Sequence, residues 1–230
     1  MSASVKICGL RSLDALETAI SAGASHFGLV FFDRSPRNIG LQEAAALSRA
    51  GLGRITSVAL VVDAADDELS AIMRDVAPDM LQLHGKETPE RVADIRKRFD
   101  RPVIKAIGVA APGDAEKAET YASAADLILF DAKPPAGGIP GGNGLAFDWR
   151  LLAPVKGKRR FMLSGGLTPA NVAEAISRTG AALVDVSSGV ESAPGVKDLR
   201  LIRAFVAAAH DGVPERDEGL WRRSPLEHSA

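Results

Sequence analysis

The sequence has little cysteine and little histidine: one cysteine, Cys8, and four histidines among 230 residues. A lone cysteine excludes an internal disulfide, and without a cysteine or histidine cluster there is no sign of a zinc site. The chain also lacks an apolar run of the ~18 residues that a membrane span requires, and its first residues lack the blocks of a signal peptide. We therefore expect a soluble, cytoplasmic protein.

The chain has no surplus of basic charge, since 28 Lys and Arg face 29 Asp and Glu and give a formal net charge of -1 at pH 7. Affinity for a phosphate backbone depends on such a surplus, so nucleic acid is not the expected partner. A small anionic molecule is compatible with this charge. The length and the 46% of hydrophobic residues are enough for one substantial core.

Short apolar runs alternate with amphipathic stretches, which is typical of repeated strand–helix units around a parallel sheet. The strand candidates are 5–9, 26–31, 56–62, 79–83, 102–107, 126–130, 160–164 and 182–187. The helix candidates are 12–22, 41–50, 66–76, 88–98, 112–122, 169–177 and 197–209. Eight strands predict a single-domain α/β protein with a (β/α)₈ TIM barrel over residues 1–209, followed by a polar C-terminal tail at 210–230. An open doubly wound sheet is the alternative, which the absence of a Gly-x-Gly-x-x-Gly turn after the first strand disfavours.

Residue types at the helix starts support this division. Ser12 and Thr88 are suited to N-caps, and Pro89, Pro112 and Pro169 are suited to first turns, where a missing N–H costs little.

One unit is irregular, because a Pro/Gly-rich stretch at 134–144 follows the sixth strand, with at most a short helix near Trp149. A loop of this kind is typical of an active-site lid or of a disordered segment.

The alternation of side chains predicts a polar barrel interior. If Val5 and Ile7 face the helices, then Lys6 and Cys8 point inward, and the same parity turns Asp185 inward on the last strand. The first and last strands are neighbours in a closed barrel, so we expect Lys6 and Asp185 to form an ion pair.

Two glycine-rich segments follow the seventh and eighth strands, where barrels commonly bind a phosphate through backbone N–H groups. Each segment alone is compatible with an ordinary turn. Their placement together predicts a phosphate site formed by Gly165, Gly166, Ser187, Ser188 and Gly189.

Cys8 and Asp131 each end a strand, at the end of the barrel where catalytic groups collect. A buried apolar thiol and a loop or helix-capping carboxylate are the structural alternatives. A nearby cation would favour the thiolate that base chemistry needs, and a carboxyl shielded from water could keep a proton and act as an acid. We therefore predict an acid/base pair.

Two further side chains are candidates for contact with a substrate. Arg37, in the loop after the second strand, could hold a carboxylate in a fork, or be an ordinary exposed arginine. His84 ends the fourth strand and could be a substrate donor or a core histidine.

In their order along the chain, these motifs resemble those of the phosphoribosylanthranilate isomerase family of tryptophan biosynthesis. They are Lys6-Ile7-Cys8-Gly9, Ser35-Pro36-Arg37, Leu81-Gln82-Leu83-His84-Gly85, Phe130-Asp131, Gly141-Gly142-Asn143-Gly144 with Phe147-Asp148-Trp149, Ser164-Gly165-Gly166-Leu167, and Asp185-Val186-Ser187-Ser188-Gly189-Val190-Glu191. The match extends to about residue 209, and it departs from the family at Asn143, where a small hydroxyl residue is usual.

The resemblance implies a barrel that catalyses an Amadori rearrangement of N-(5'-phosphoribosyl)anthranilate without a metal or organic cofactor. By the same resemblance, Asp131 is the general acid, Cys8 the general base and Arg37 the ligand of the anthranilate carboxylate, with His84 near the substrate. The molecule is expected to be a monomer or a homodimer. An indoleglycerol phosphate synthase, a pentose-phosphate epimerase and a non-catalytic phosphate-binding protein are the alternatives.

Overall fold

The computed structural model describes residues 3–133, 141–142 and 144–211. Most of the stretch at 134–144, which we predicted to be a lid or disordered, lies outside the described residues, as does Asn143. The same holds for residues 212–230 of the predicted tail, whereas residues 210 and 211 complete the last helix.

Within these residues eight parallel strands form a closed barrel, in which each strand pairs with the next and the eighth pairs with the first. They are β1 (Ser4–Cys8), β2 (His26–Phe31), β3 (Thr56–Val61), β4 (Met80–Leu83), β5 (Val103–Val109), β6 (Leu127–Ala132), β7 (Phe161–Leu163) and β8 (Leu183–Val186). The predicted (β/α)₈ barrel is confirmed. An open doubly wound sheet is excluded, because its edge strands would not pair with each other.

The described part of the chain contains six α-helices: α1 (Leu13–Ala22), α2 (Leu41–Gly51), α3 (Asp66–Asp75), α4 (Pro89–Phe99), α5 (Val172–Thr179) and α6 (Leu199–Asp211). Short 3₁₀ helices cover Ala115–Tyr121, Trp149–Leu152 and Ser188–Val190. Two short strands, β9 (Glu191–Ala193) and β10 (Val196–Lys197), form a separate hairpin after β8.

The predicted helix starts are confirmed at α1 and α4, where Ser12 and Thr88 accept hydrogen bonds from backbone N–H groups in the first turn and Pro89 is the first helical residue. The prediction for Pro169 was wrong. The loop after β7 continues to Asn171, whose side chain accepts from the Thr168 N–H at 2.8 Å, so α5 begins only at Val172.

The prediction for the unit after β5 was also wrong. The expected helix at 112–122 is a 3₁₀ helix that begins at Ala115, and Pro112 lies in the turn before it. The carboxylate of Asp114 holds this turn together, because it accepts from the backbone N–H groups of Ala110 and Ala111 at 3.0 Å each.

The strand parity divides the core into two layers. Val5 and Ile7 belong to the large apolar cluster between barrel and helices, whereas alternate residues of β3 and β5–β8 form a second cluster inside the barrel. Lys6 is fully buried in that interior, and its Nζ lies 2.9 Å from Asp185 Oδ1. The predicted Lys6–Asp185 pair is therefore confirmed.

Over the described ranges, no helix combines the length and the apolar character needed to cross a membrane. These ranges also contain no group of three or more His, Cys, Asp or Glu side chains placed to hold a metal ion.

Candidate active site

A pocket opens at the carboxyl ends of the barrel strands, the end where the active sites of such barrels lie. Most of the predicted site residues line it, namely Cys8, Arg37, His84, Asp131, Gly165, Gly166, Ser187 and Ser188. Gly189 is not among the lining residues, because it packs against the backbone carbonyl of Leu167. The barrel thus brings residues from both ends of the sequence to one place.

The thiol of Cys8 lies in the barrel mouth beside the Lys6 ammonium group. Burial raises the pKa of Cys8 above its ordinary 9.0, while the positive charge of Lys6 lowers it. Burial also acts to lower the pKa of Lys6, but the neighbouring Asp185 and Cys8 outweigh it and raise that pKa to about 12. Lys6 therefore remains charged and favours the thiolate. The spacing of two residues along β1, which places both side chains on one face, was the signal for this contact in the sequence.

The backbone of β2 lies directly against this thiol. A Cβ atom at Gly28 would lie 2.9 Å from Cys8 Sγ and 3.1 Å from Lys6 Nζ, closer than side-chain atoms ordinarily approach. Gly28 is therefore needed for the geometry of the thiol, and sequence reasoning did not identify it.

Asp131 is shielded from solvent, with 4% of its surface exposed. Its Oδ1 accepts from the Ala132 N–H at 2.9 Å, and its Oδ2 lies 3.2 Å from His84 Nε2. The loop after β7 covers it, because a Cβ atom at Gly165, where φ is +90°, would lie 3.2 Å from Oδ1. Both carboxylate oxygens thus have a defined neighbour.

His84 contacts Asp131 on one side and Gln82 on the other. Its Nδ1 lies 3.0 Å from Nε2 of Gln82, which is fully buried in the barrel. Sequence reasoning named Gln82 as part of the motif Leu81-Gln82-Leu83-His84-Gly85, but missed its contact with a pocket residue. Because residues two apart on a strand share a face, the spacing of Gln82 and His84 carried the signal.

The guanidinium group of Arg37 is already paired within the protein. Its Nε and Nη2 donate to the two carboxylate oxygens of Glu191 at 2.8 Å each, and Nη2 also donates to the Gly142 carbonyl at 3.1 Å. Arg37 is therefore not an exposed loop arginine, and among the described residues only the Nη1 edge of its guanidinium makes no hydrogen bond.

The side chain of Lys197 is also buried, and sequence reasoning placed this residue at the start of a helix rather than in β10. Its Nζ donates to Glu191 Oε1 at 2.7 Å, to the Ser187 carbonyl at 3.0 Å and to Ser187 Oγ at 3.2 Å. Burial lowers the pKa of Lys197, and the negative charge of Glu191 opposes that shift. Lys197 thus fixes Ser187, whose hydroxyl donates to the Cys8 carbonyl at 3.1 Å.

The loops after β7 and β8 lie side by side because these two strands pair. Gly165 and Gly166 adopt left-handed backbone conformations, with φ of +90° and +64°. A Cβ atom at Gly166 would lie 2.7 Å from the Ala146 backbone nitrogen, so neighbouring backbone fills that space. Such a glycine-lined loop allows an anion to approach backbone N–H groups closely.

The alternative of an indoleglycerol phosphate synthase would need a lysine acid at a strand tip, whereas Lys105 lies within β5 and does not line the pocket. Its Nζ donates to Glu87 Oε2 and to the Gly85 carbonyl at 2.8 Å each, on the face of β5 that points away from the barrel interior. This buried ion pair is structural and disfavours that alternative.

Comparisons with known proteins agree with this site. The sequence model of the family described as N-(5'phosphoribosyl)anthranilate (PRA) isomerase matches residues 5–208. The chain is 56% identical over 206 residues to the N-(5'-phosphoribosyl)anthranilate isomerase of Cereibacter sphaeroides, covering 89% of this chain and 97% of the relative.

Two solved structures are also similar. A phosphoribosyl anthranilate isomerase in complex with reduced 1-(o-carboxyphenylamino)-1-deoxyribulose 5-phosphate has a TM-score of 0.80 and 34% identity, over 92% of this chain and 100% of that chain. Monomers of the dimeric enzyme from Thermotoga maritima give a TM-score of 0.79 and 34% identity over the same shares.

Proposed function

The chain belongs to the N-(5'-phosphoribosyl)anthranilate isomerase family, and we propose that its pocket performs this isomerisation with Asp131 as general acid and Cys8 as general base. The reaction is an Amadori rearrangement in tryptophan biosynthesis. It turns N-(5'-phosphoribosyl)anthranilate into 1-(2-carboxyphenylamino)-1-deoxyribulose 5-phosphate.

One observation carries the assignment of roles: a shielded carboxyl and a thiol beside a buried ammonium group line the same pocket. An acid and a base that act on one substrate need different environments, so that each has its own protonation state. Lys6 supports the thiolate at Cys8, whereas no lysine or arginine is among the hydrogen-bond partners of Asp131 in the described residues.

In the first step Asp131 gives a proton to the furanose ring oxygen of the substrate. The C1–O bond breaks, its electron pair stays on that oxygen as a hydroxyl group, and the nitrogen lone pair forms an iminium with C1. Breaking this bond without a proton would leave an alkoxide, so a positioned acid lowers the barrier.

In the second step the Cys8 thiolate removes the proton from C2 of the sugar. The positive iminium next to C2 acidifies that proton, so a thiolate is a sufficient base. The electron pair of the C–H bond forms the C1–C2 double bond of an enolamine, which then tautomerises to the ketone. Lys6 stabilises the thiolate before this transfer and needs no proton exchange of its own.

The two anionic ends of the substrate are held by different groups of the pocket. Nη1 of Arg37 is the donor that remains for the anthranilate carboxylate, since Glu191 takes the other edge of the guanidinium. The phosphate lies in the loops after β7 and β8, where the predicted ligands are Gly165, Gly166, Ser187, Ser188 and Gly189.

We propose further that the partner is a small phosphorylated molecule rather than nucleic acid or a membrane, and that no metal or organic cofactor takes part. A thiolate base is preserved in a reducing compartment, which favours the cytoplasm. The catalytic barrel extends through the last helix to Asp211, two residues beyond the predicted boundary at 209, and a polar sequence follows it. The molecule is a monomer or a homodimer, and the dimeric Thermotoga maritima relative is compatible with the second.

The loss of anthranilate-type fluorescence as the substrate is consumed tests the two roles. We expect Cys8→Ser and Asp131→Asn each to lower kcat by about a hundredfold or more, the size typical of losing a positioned acid or base. Asp67→Asn, at an exposed position on α3, is the matched control and should leave kcat unchanged. Either site variant retaining wild-type kcat while folded would refute its role, and the non-catalytic alternative predicts that outcome for both.

A further inference from the structure

Three side chains form a continuous row from the barrel interior to the pocket. Gln82 Nε2 lies 3.0 Å from His84 Nδ1, and His84 Nε2 lies 3.2 Å from Asp131 Oδ2. His84 and Asp131 line the pocket, whereas Gln82 is fully buried beneath them and does not. The mechanism above uses Asp131 and leaves Gln82 without a task.

The contact with Gln82 decides which nitrogen of His84 carries a proton. An amide nitrogen only donates, so Nδ1 of His84 must accept with its lone pair. A neutral imidazole has one N–H, which must then be on Nε2 and donate to Oδ2 of Asp131. With the Ala132 N–H on Oδ1, each carboxylate oxygen of Asp131 then accepts a hydrogen bond.

A general acid needs the opposite arrangement. If Oδ2 of Asp131 carries a proton, it donates to Nε2 of His84, and the ring proton must be on Nδ1. That N–H then needs an acceptor. Oε1 of Gln82 is buried and has no hydrogen-bond partner within the described ranges, which is uncommon and costly for a buried acceptor. A half-turn of the amide about its last bond would bring Oε1 to Nδ1.

We propose that Gln82 is a positioning residue, whose amide fixes the tautomer of His84 and turns over when Asp131 gains its proton. In the first state the His84–Asp131 pair carries one proton, on Nε2 of His84, and Asp131 is ionised. The second state holds two, on Nδ1 of His84 and on Oδ2 of Asp131. The added proton is taken up from solvent water, and Asp131 then transfers it to the ring oxygen of the substrate. This inference rests on the proposed role of Asp131 as the acid.

Gln82→Met tests the role in catalysis, because methionine has a similar length but neither donates nor accepts strongly. We expect kcat to fall about tenfold, less than the ~100-fold for losing the acid itself. KM should stay near the wild-type value, because Gln82 does not line the pocket. Gln42→Met, at an exposed position on α2, should change neither constant. An unchanged kcat, or a rise in KM alone, would overturn the proposal.

Nitrogen-15 NMR of the substrate-free wild type tests the tautomer without a variant at Gln82. The His84 signals are assigned by their loss in His84→Asn. At neutral pH we expect a neutral ring with its proton on Nε2, and an Nδ1–H or doubly protonated ring would overturn the proposal. If the wild type failed to turn over substrate, the proposed function would fail, but the tautomer would still decide the role of Gln82.

Discussion

Replacement of Lys6 by methionine removes the positive charge beside Cys8 and should raise the pKa of the thiol. Burial already raises this pKa, and Lys6 is the main opposing influence. An opposite charge at contact distance typically changes a pKa by ~1 to 3 units. Each unit leaves about tenfold less thiolate at neutral pH, so we expect kcat to fall between ~10-fold and ~1,000-fold.

The lone substitution also leaves Asp185 without its partner in the barrel interior, where breaking a buried pair costs ~3–5 kcal/mol of stability. The double variant Lys6→Met/Asp185→Asn removes both charges and avoids this cost. The negative charge of Asp185 raises the pKa of Cys8, but less than Lys6 lowers it. The pKa of Cys8 should therefore increase from wild type to the double variant and again to Lys6→Met.

The pH dependence of alkylation by iodoacetamide measures this pKa directly. Cys8 is the only cysteine of the chain, so the rate reports on one thiolate. Lys97→Met, at an exposed position on α4, is the matched control and should leave the pKa of Cys8 unchanged. An equal or lower pKa of Cys8 in Lys6→Met would refute the argument that Lys6 supports the thiolate.

Three further predictions follow from single contacts. Gly28→Ala should lower kcat at least tenfold, because its Cβ would displace the thiol of Cys8 and a misplaced catalytic group typically costs ~100-fold in rate. Gly40→Ala, at a surface position, is the control and should leave kcat unchanged in the same assay. Arg37→Met should raise KM for the natural substrate by a larger factor than it lowers kcat. For an analogue that lacks the carboxylate, KM and kcat should both stay unchanged. Equal changes in KM for the two substrates would contradict the contact assigned to Arg37. The hydrogen bond from Lys117, with those from two backbone N–H groups, lowers the pKa of Asp114 to about 2. Asp114→Asn should therefore cost ~1–2 kcal/mol of unfolding free energy at neutral pH, and in urea titrations this difference should vanish as the pH falls from ~4 towards 2 and the carboxylate protonates.

The barrel and its interior could be predicted because both depend on local patterns. Eight apolar runs separated by amphipathic stretches define the closed sheet, and the period of two along β1 and β8 turns Lys6 and Asp185 inward. Closure then makes them neighbours although 179 positions separate them. Because all eight strands are parallel, their carboxyl ends lie at one end of the barrel, and this places Cys8 and Asp131 there together.

The partners of Arg37 could not be predicted in this way, since they depend on an irregular connection. The hairpin of β9 and β10 carries Glu191 and Lys197 to Arg37 and Ser187, and neither strand is long enough to show a pattern. The only local signal was the turn at 194–195, where Pro-Gly separates two short polar runs. Side-chain contacts of this kind follow from the assembled loops rather than from any periodicity.

The most direct test of the account follows the sugar C2 carbon during turnover. N-(5'-phosphoribosyl)anthranilate labelled with carbon-13 at C2 is generated in the presence of the wild-type protein and observed by NMR. The account predicts that the substrate signal is replaced by that of a C2 ketone, much faster than without protein, and that neither Cys8→Ser nor Asp131→Asn supports this rate. A ketone that appears no faster with the wild-type protein than without it would contradict the account.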